Sequence, residues 1–160
     1  DKIRVIANLY PEDMHLVLAK GIKLNSLKDL KGLRVGVAAA GSGTQVSVKM
    51  ILDHYKIDAK QSELGLSQST QRLADGQLDA FFYAGGWPFA ALIQLGSTKG
   101  FDLYSFSEDE IKEINSFIPY YVKSMIPAGA YENITYDTQT LAVNGQFVTS
   151  IDQEDRKSVV

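Results

Sequence analysis

The feature that most restricts the fold is a succession that recurs along the chain: a short apolar run, a turn of small residues, then a helix with a single apolar stripe. It is clearest in VAAAGSGTQVSVKMIL, residues 37–52. LRVGVAAA is an apolar, β-branched run suited to a sheet covered on both faces. After Thr44, the residues Val48, Ile51, Leu52 and Tyr55 recur at helical spacing and define one buried face.

The pattern returns in SELGLS, read as a strand, followed by a helix over 69–74 that Gly76 ends. It returns again in LDAFFYAGG, with Trp87 and Pro88 leading into PFAALIQLG, where Pro88 suits the first helical turn. GFDLYSFS then precedes EDEIKEINSF, which Ser107 and Glu110 open as a capping box. Strands alternating with helices predict an α/β fold with a mainly parallel sheet and right-handed crossovers. Ligands bind such sheets outside the carboxyl ends of the strands. Three of these ends, AAAGSGT, LSQST and YAGGWP, are expected to point the same way.

The flanks read differently. KIRVIANL and MHLVLA are expected as two strands around a turn at Pro11, and SLKDLKG as a helical turn with Ser26 and Asp29 at capping-box spacing. In TLAVNGQFVTS, Asn144-Gly145 between alternating runs is a hairpin signal. The chain starts inside an apolar alternation and stops without a terminal helix signal, which gives the expectation of a piece from something longer.

With 160 residues the chain suits one domain or one lobe. A net charge of -3 carries no basic footprint for nucleic acid phosphates. The lack of cysteine excludes disulfides, thiolate catalysis and cysteine-based zinc sites. His54 reads as a solvated helix flank, and His15 has no relay partner at a recognisable spacing. Asn133-Ile134-Thr135 matches a glycosylation acceptor too short to carry function, and SEDEIKE reads as a solvated helix start.

Gly41, Ser42, Gly43 and Thr44 form the most informative motif. A small-residue turn opening a helix offers backbone N–H groups, two hydroxyls and the positive dipole end to a carboxylate or phosphate. The alternative is a tight turn whose hydroxyl caps the helix. A P-loop lysine, dinucleotide glycine spacing and a nucleophile elbow are all missing from it. Tyr83 and Trp87 flank Gly85 and Gly86, as pocket walls or as cover for the sheet edge, and Tyr10 sits in NLYPE next to Pro11.

Together, IANLYPEDMHLVL, SLKDLKGLRVGVAAAGSGTQVSVKMIL, LADGQLDAFFYAGGWP and IPAGAY resemble the TAXI group of solute receptors of TRAP-type transporters, over residues 3–150. The resemblance implies a periplasmic-binding-protein-like fold, two-lobed, closing on a small carboxylate such as an acidic or amide amino acid or a dicarboxylate. It implies hinge strands at 1–21, the second ligand-binding lobe at 22–125 and return strands at 126–160. The solute carboxylate would meet Gly41, Ser42, Gly43 and Thr44, with Tyr10 on the hinge side and Tyr83, Gly85, Gly86 and Trp87 along the wall.

Similar proteins often carry a small or aliphatic residue where Trp87 stands, and run one long return strand where this chain has Val143, Asn144 and Gly145. The implied protein is a periplasmic or extracellular receptor, its signal peptide removed, without cofactor or metal, non-enzymatic, and docking to transporter membrane subunits. Exposed hinge strands make a dimer plausible. The alternatives are an enzyme using Ser42 or Thr44, and a sensory ligand-binding module.

Overall fold

A computed structural model describes residues 2–151, apart from the side chain of Asn8. The expected return stretch therefore extends, at 152–160, outside the described residues. In chain order the elements are β1 (Ile3–Ala19), a 3-10 turn (Leu27–Leu30), β2 (Arg34–Gly36), α1 (Gly43–His54), β3 (Lys60–Ser62), α2 (Leu66–Ala74), β4 (Ala80–Gly85), α3 (Ala90–Thr98), β5 (Phe101–Leu103), α4 (Glu108–Phe117), β6 (Val122–Ile126) and β7 (Thr138–Ser150). The strands form one sheet in the order β3-β2-β4-β1-β7-β6, with β5 also paired to β1. The architecture is the expected α/β, a sheet flanked by helices.

Side chains of the strands alternate between two cores. Met14, Leu16 and Leu18 of β1 join Phe82, Val48, Ile51, Ile111 and Ile114 on a first face, under α1 and α4. Val17 and Phe81 join Leu73, Leu92, Leu95 and Tyr131 on a second face, under α2 and α3. Ser107 and Glu110 form the expected capping box, with Ser107 Oγ accepting from the Glu110 N–H at 3.2 Å. That acidic helix start is more than a solvated one. Glu110 also accepts from the Leu27 N–H at 3.0 Å and from the Tyr104 hydroxyl, fastening α4 to the 3-10 turn.

Several expectations are corrected. The parallel pairings are β2 with β3 and with β4, whereas β1, β5, β6 and β7 pair antiparallel, so the parallel part is one side of a mixed sheet. Pro11 makes no turn. β1 runs straight through it, with register shifts at Val5/Ala7 and Asn8/Pro11, because a bulge accommodates a residue that has no N–H to donate. Asn144-Gly145 forms no hairpin either. Asn144 pairs with Pro11, and Gly145 lies where an added Cβ would stand 3.4 Å from the Tyr10 carbonyl, so its small size serves the approach of two strands. In SELGLS, β3 ends at Ser62 and α2 begins at Leu66. Pro88 precedes α3, whose N-cap is Phe89, and the Trp87–Pro88 peptide is cis.

Both histidines have structural work. His54 is exposed as expected but not free: its Nε2 lies 2.9 Å from Glu113 Oε1 and its ring stacks on Phe117. His15 is fully buried. A proton on its Nδ1 lets the ring donate to the Asp13 carbonyl at 2.9 Å, accept at Nε2 from the Tyr131 hydroxyl at 3.0 Å, and leave Tyr131 Oη to accept from the Phe89 N–H at 3.3 Å. This chain of bonds ties β1 to the start of α3. The Asn133 amide donates to the Phe101 carbonyl at 2.7 Å, which engages the acceptor motif in the fold.

Two predictions follow from this packing. An added Cβ at Gly36 would stand 2.8 Å from Phe81 Cβ, so Gly36→Ala should destabilise the fold by about 1–3 kcal/mol in urea denaturation. Burial lowers the His15 pKa from 6.5 to about 4. The unfolded chain therefore takes up the proton first, so the neutral ring's contribution is complete above pH 6.5 and is lost as pH falls to about 4. The stability difference between the wild-type and His15→Gln should fall by about 3 kcal/mol across that window, measured by denaturation at a series of pH values.

Candidate functional site

The parallel register of β2, β3 and β4 brings their three carboxyl ends to one edge, as the expected α/β crevice requires. The turn at 37–42 follows β2, Gly65 and Leu66 follow β3, and residues 86–89 follow β4. Because β1 is antiparallel to β4 with Asp13 opposite Gly85, its segment around Tyr10 reaches this same edge. β7 and β6 carry the edge further, with Ala142 opposite Asp13 and Val122 opposite Ala142.

Gly41 holds φ at 76°, a conformation that favours glycine, and its N–H donates to Gln45 Oε1 at 2.9 Å. Ser42 is the N-cap, its Oγ accepting from the Gln45 N–H at 3.1 Å. This matches the capping alternative for Ser42. The N–H groups of Gly43 and Thr44 precede the first intrahelical bond, accepted by the Ser42 carbonyl from Val46, so both remain without an acceptor inside the helix. Ala38 also has positive φ, at 68°, although it is buried, and its carbonyl accepts from the Leu64 N–H at 3.0 Å. The turn is thus braced against the segment that leads into α2.

Across β4, Tyr10 and Gly86 come together: a Cβ on Gly86 would stand 3.3 Å from the Tyr10 ring. Gly85 similarly makes room for Phe89, whose ring would meet an added Cβ at 2.7 Å. Tyr83 packs edge-on against Phe89 with ring centroids 5.0 Å apart, and belongs to the second core more than to the rim. Trp87 stands in the exposed loop after β4. The GSGT turn lies on the far side of β4 from Tyr10, so the sequence-predicted residues form two groups along one edge.

Four further residues stand at this edge that the sequence did not mark: Tyr120, Ser47, Asp13 and Ser124. The Tyr120 hydroxyl lies 3.3 Å from Ser47 Oγ on α1, joining the approach to β6 with the helix that carries GSGT. Asp13 is buried, and the donors turned toward it are the Ser124 hydroxyl and the Trp87 indole. Burial raises the Asp13 pKa, and those two donors act against the rise. The one signal for Asp13 in the sequence is its place two residues before His15, on the inward side of an alternating strand.

The rim is an open edge. The wide groove of about 620 Å³ lies at the other end of the strands, lined by Leu18, Lys20, Ile22, Leu103 and Tyr104, and so is remote from the turns described. LSQST lies within α2, where Ser67 and Thr70 border a polar groove shared with Gln94 and Thr98 of α3. Among the described residues there is no cluster of three metal-ligating side chains and no helix long and apolar enough to cross a membrane.

Known proteins share this architecture. The regulatory domain of CcmR from Synechocystis PCC6803, in complex with 2-PG, superposes with a TM-score of 0.55 at 10% identity, covering 96% of this chain and 60% of that one. A putative periplasmic sulfonate-binding protein from Methylobacillus flagellatus KT gives 0.52 at 17% identity, covering 89% and 36%. An ancestral arginine-binding protein bound to arginine gives 0.50 at 19% identity, covering 89% and 50%. The chain thus spans about half the length of these proteins, and its fold is that of periplasmic binding proteins. The family matched is the NMT1-like family rather than the TAXI group by name, over residues 1–158. With the match running along nearly its whole length, the chain belongs to the NMT1-like family.

Proposed function

We propose that this chain is the ligand-binding lobe of an extracytoplasmic solute receptor that captures a small carboxylate for a TRAP-type transporter. The observation that carries the reading is the convergence of three parallel strand ends on one edge, with the unpaired N–H groups of Gly43 and Thr44 at the start of α1. The carboxylate would lie against Gly41, Ser42, Gly43 and Thr44. Tyr10 over Gly86, with Gly85, Trp87 and Tyr83 behind them, would wall the solute on the other side of β4. Family membership and the shared fold support a receptor; the TRAP partner rests on the motif resemblance.

In this reading a second lobe closes over the rim, and the closed state is the one the transporter recognises. The ribbon formed by the outer parts of β1 and β7 exposes Ile3, Val5, Leu9, Phe147 and Val148, apolar surface of the kind another lobe covers. In its absence, two copies would pair there. An enzyme using Ser42 is disfavoured because Ser42 Oγ accepts a helix N–H and has no base bonded to it. A sensory module is the second reading, favoured by the likeness to a ligand-holding regulatory domain, and it would use the same rim.

A thermal-shift screen of the full chain against amino acids, dicarboxylates, sugars and nucleotides tests this. Carboxylates should raise the melting temperature, and Thr44→Ala should weaken that effect by about tenfold in midpoint concentration while leaving the Ser42 cap intact. Stabilisation by sugars or nucleotides alone, or an unaffected variant, would leave the GSGT turn as packing.

A further inference from the structure

Gln45 is a polar side chain buried in the first turn of α1, only 6% exposed. Its Oε1 accepts the Gly41 N–H at 2.9 Å, and its own N–H donates to Ser42 Oγ at 3.1 Å, so one residue closes the small-residue turn from both ends. In a capping box the third helical residue reaches back to the N–H of the N-cap. Here the Ser42 N–H already donates to the Ala39 carbonyl at 3.1 Å, and the glutamine reaches one residue further back. Gly41 and Ser42 thus have their N–H groups engaged within the turn, while those of Gly43 and Thr44 have no acceptor inside the helix.

The glutamine is itself held in place. Its amide nitrogen can only donate, and it faces Glu63. Glu63 pairs with Lys49, one helical turn beyond Gln45, at 2.8 Å. The segment bearing Glu63 is fastened to the exit of β2 on both sides: the Val37 N–H donates to the Ser62 carbonyl at 2.9 Å, and the Leu64 N–H to the Ala38 carbonyl at 3.0 Å. The helix start does not require this arrangement. Ser42 caps α1 with its own hydroxyl, and Gly41 is exposed, so water would satisfy its N–H without a buried amide. What the glutamine adds is a fixed turn, and a loop held in its binding conformation has less ordering to undergo when a ligand arrives.

We propose that Gln45 is a positioning residue of the solute site: it keeps Gly41 in its left-handed conformation with the N–H turned inward, so that the anionic group of the solute meets the N–H groups of Gly43 and Thr44 and not that of Gly41. This rests on the rim being the solute site, and it divides the turn into two residues that hold and two that bind. Two donors match the two oxygens of a carboxylate.

The test is nitrogen-15 NMR of the full chain as wild-type, Gln45→Met and Gln45→Glu. Methionine keeps the length and removes the acceptor; glutamate keeps an acceptor that the third helical position favours. Without solute, the Gly41 amide should exchange severalfold faster in Gln45→Met than in the other two, with melting temperatures within about 5 °C of one another. Each protein is then titrated with L-glutamine, L-glutamate and succinate in about 0.3 M sodium chloride, which screens the added charge of Gln45→Glu. The Gly43 and Thr44 amides of the wild-type should shift and that of Gly41 far less. Affinity for the solute bound best should fall about fivefold in Gln45→Met and return to within about twofold of wild-type in Gln45→Glu. An unchanged affinity in Gln45→Met, a loss that Gln45→Glu does not restore, or a Gly41 amide that shifts as far as those of Gly43 and Thr44 overturns the assignment and leaves the solute site standing. If none of the three solutes moves the Gly43 and Thr44 amides, the solute-site reading falls and this assignment with it. Should Gln45→Met not fold, Gly41→Ala takes its place, since an added Cβ there meets nothing within 4 Å and only the φ of 76° is strained: the same fall in affinity supports the assignment, and an unchanged affinity overturns it.

Discussion

The antiparallel pairing of β1 with β4 is the constraint on which the rest of the structure depends. Its register, Asp13 opposite Gly85 through Leu18 opposite Ala80, sews a strand from the start of the chain into the middle of the sheet. One side of β1 then meets the parallel trio β4, β2 and β3, and the other meets β7 and β5. Both cores are assembled on this strand, because its alternate residues supply Met14, Leu16 and Leu18 to one face and His15 and Val17 to the other. A one-residue slip would exchange those sets and put the buried imidazole among aliphatic side chains. The bonds from His15 through Tyr131 to the Phe89 backbone resist such a slip, since they can be satisfied in one register.

That register also gives the rim its chemistry. The two groups of rim residues are borne by different layers: GSGT opens a helix of the first face, and Asp13, with Trp87 turned toward it, stands beside His15 of the second. Glycine at 85 and 86 lets Phe89 and Tyr10 come against the end of β4, so the aromatic side of the rim is built on missing side chains. On the other side, strain in the buried Ala38 and a side-chain cap at Ser42 hold the turn while leaving two N–H groups unpaired inside the helix. The start of α1 and the buried Asp13, with the Ser124 hydroxyl and the Trp87 indole turned toward it, are thereby arranged along one edge.

Much of the local structure was legible in the sequence. The stripe of Val48, Ile51 and Leu52 identified α1, and Ser107 with Glu110 identified the start of α4, because both signals depend on residues a turn apart. The shared direction of the three strand ends was legible from the alternation of elements. SELGLS misled because a short apolar run has no period long enough to separate the end of a strand from the start of a helix. Asn144-Gly145 misled for a different reason: its turn propensity is real but weak against a ladder of pairs with β1 on both sides of it.

By itself the sequence determined the class of fold, the apolar stripe of α1, the capping box of α4 and the small-residue turn between β2 and α1. These are local properties, written in spacings of three or four residues. The tertiary structure alone decided that β1 is one strand and central, that Tyr10 lies over Gly86, and that Asp13 is buried beside Trp87 and Ser124. Each of those facts depends on which distant segments pair and in what register, a choice made by the burial of two whole faces of a sheet rather than by any short stretch of chain.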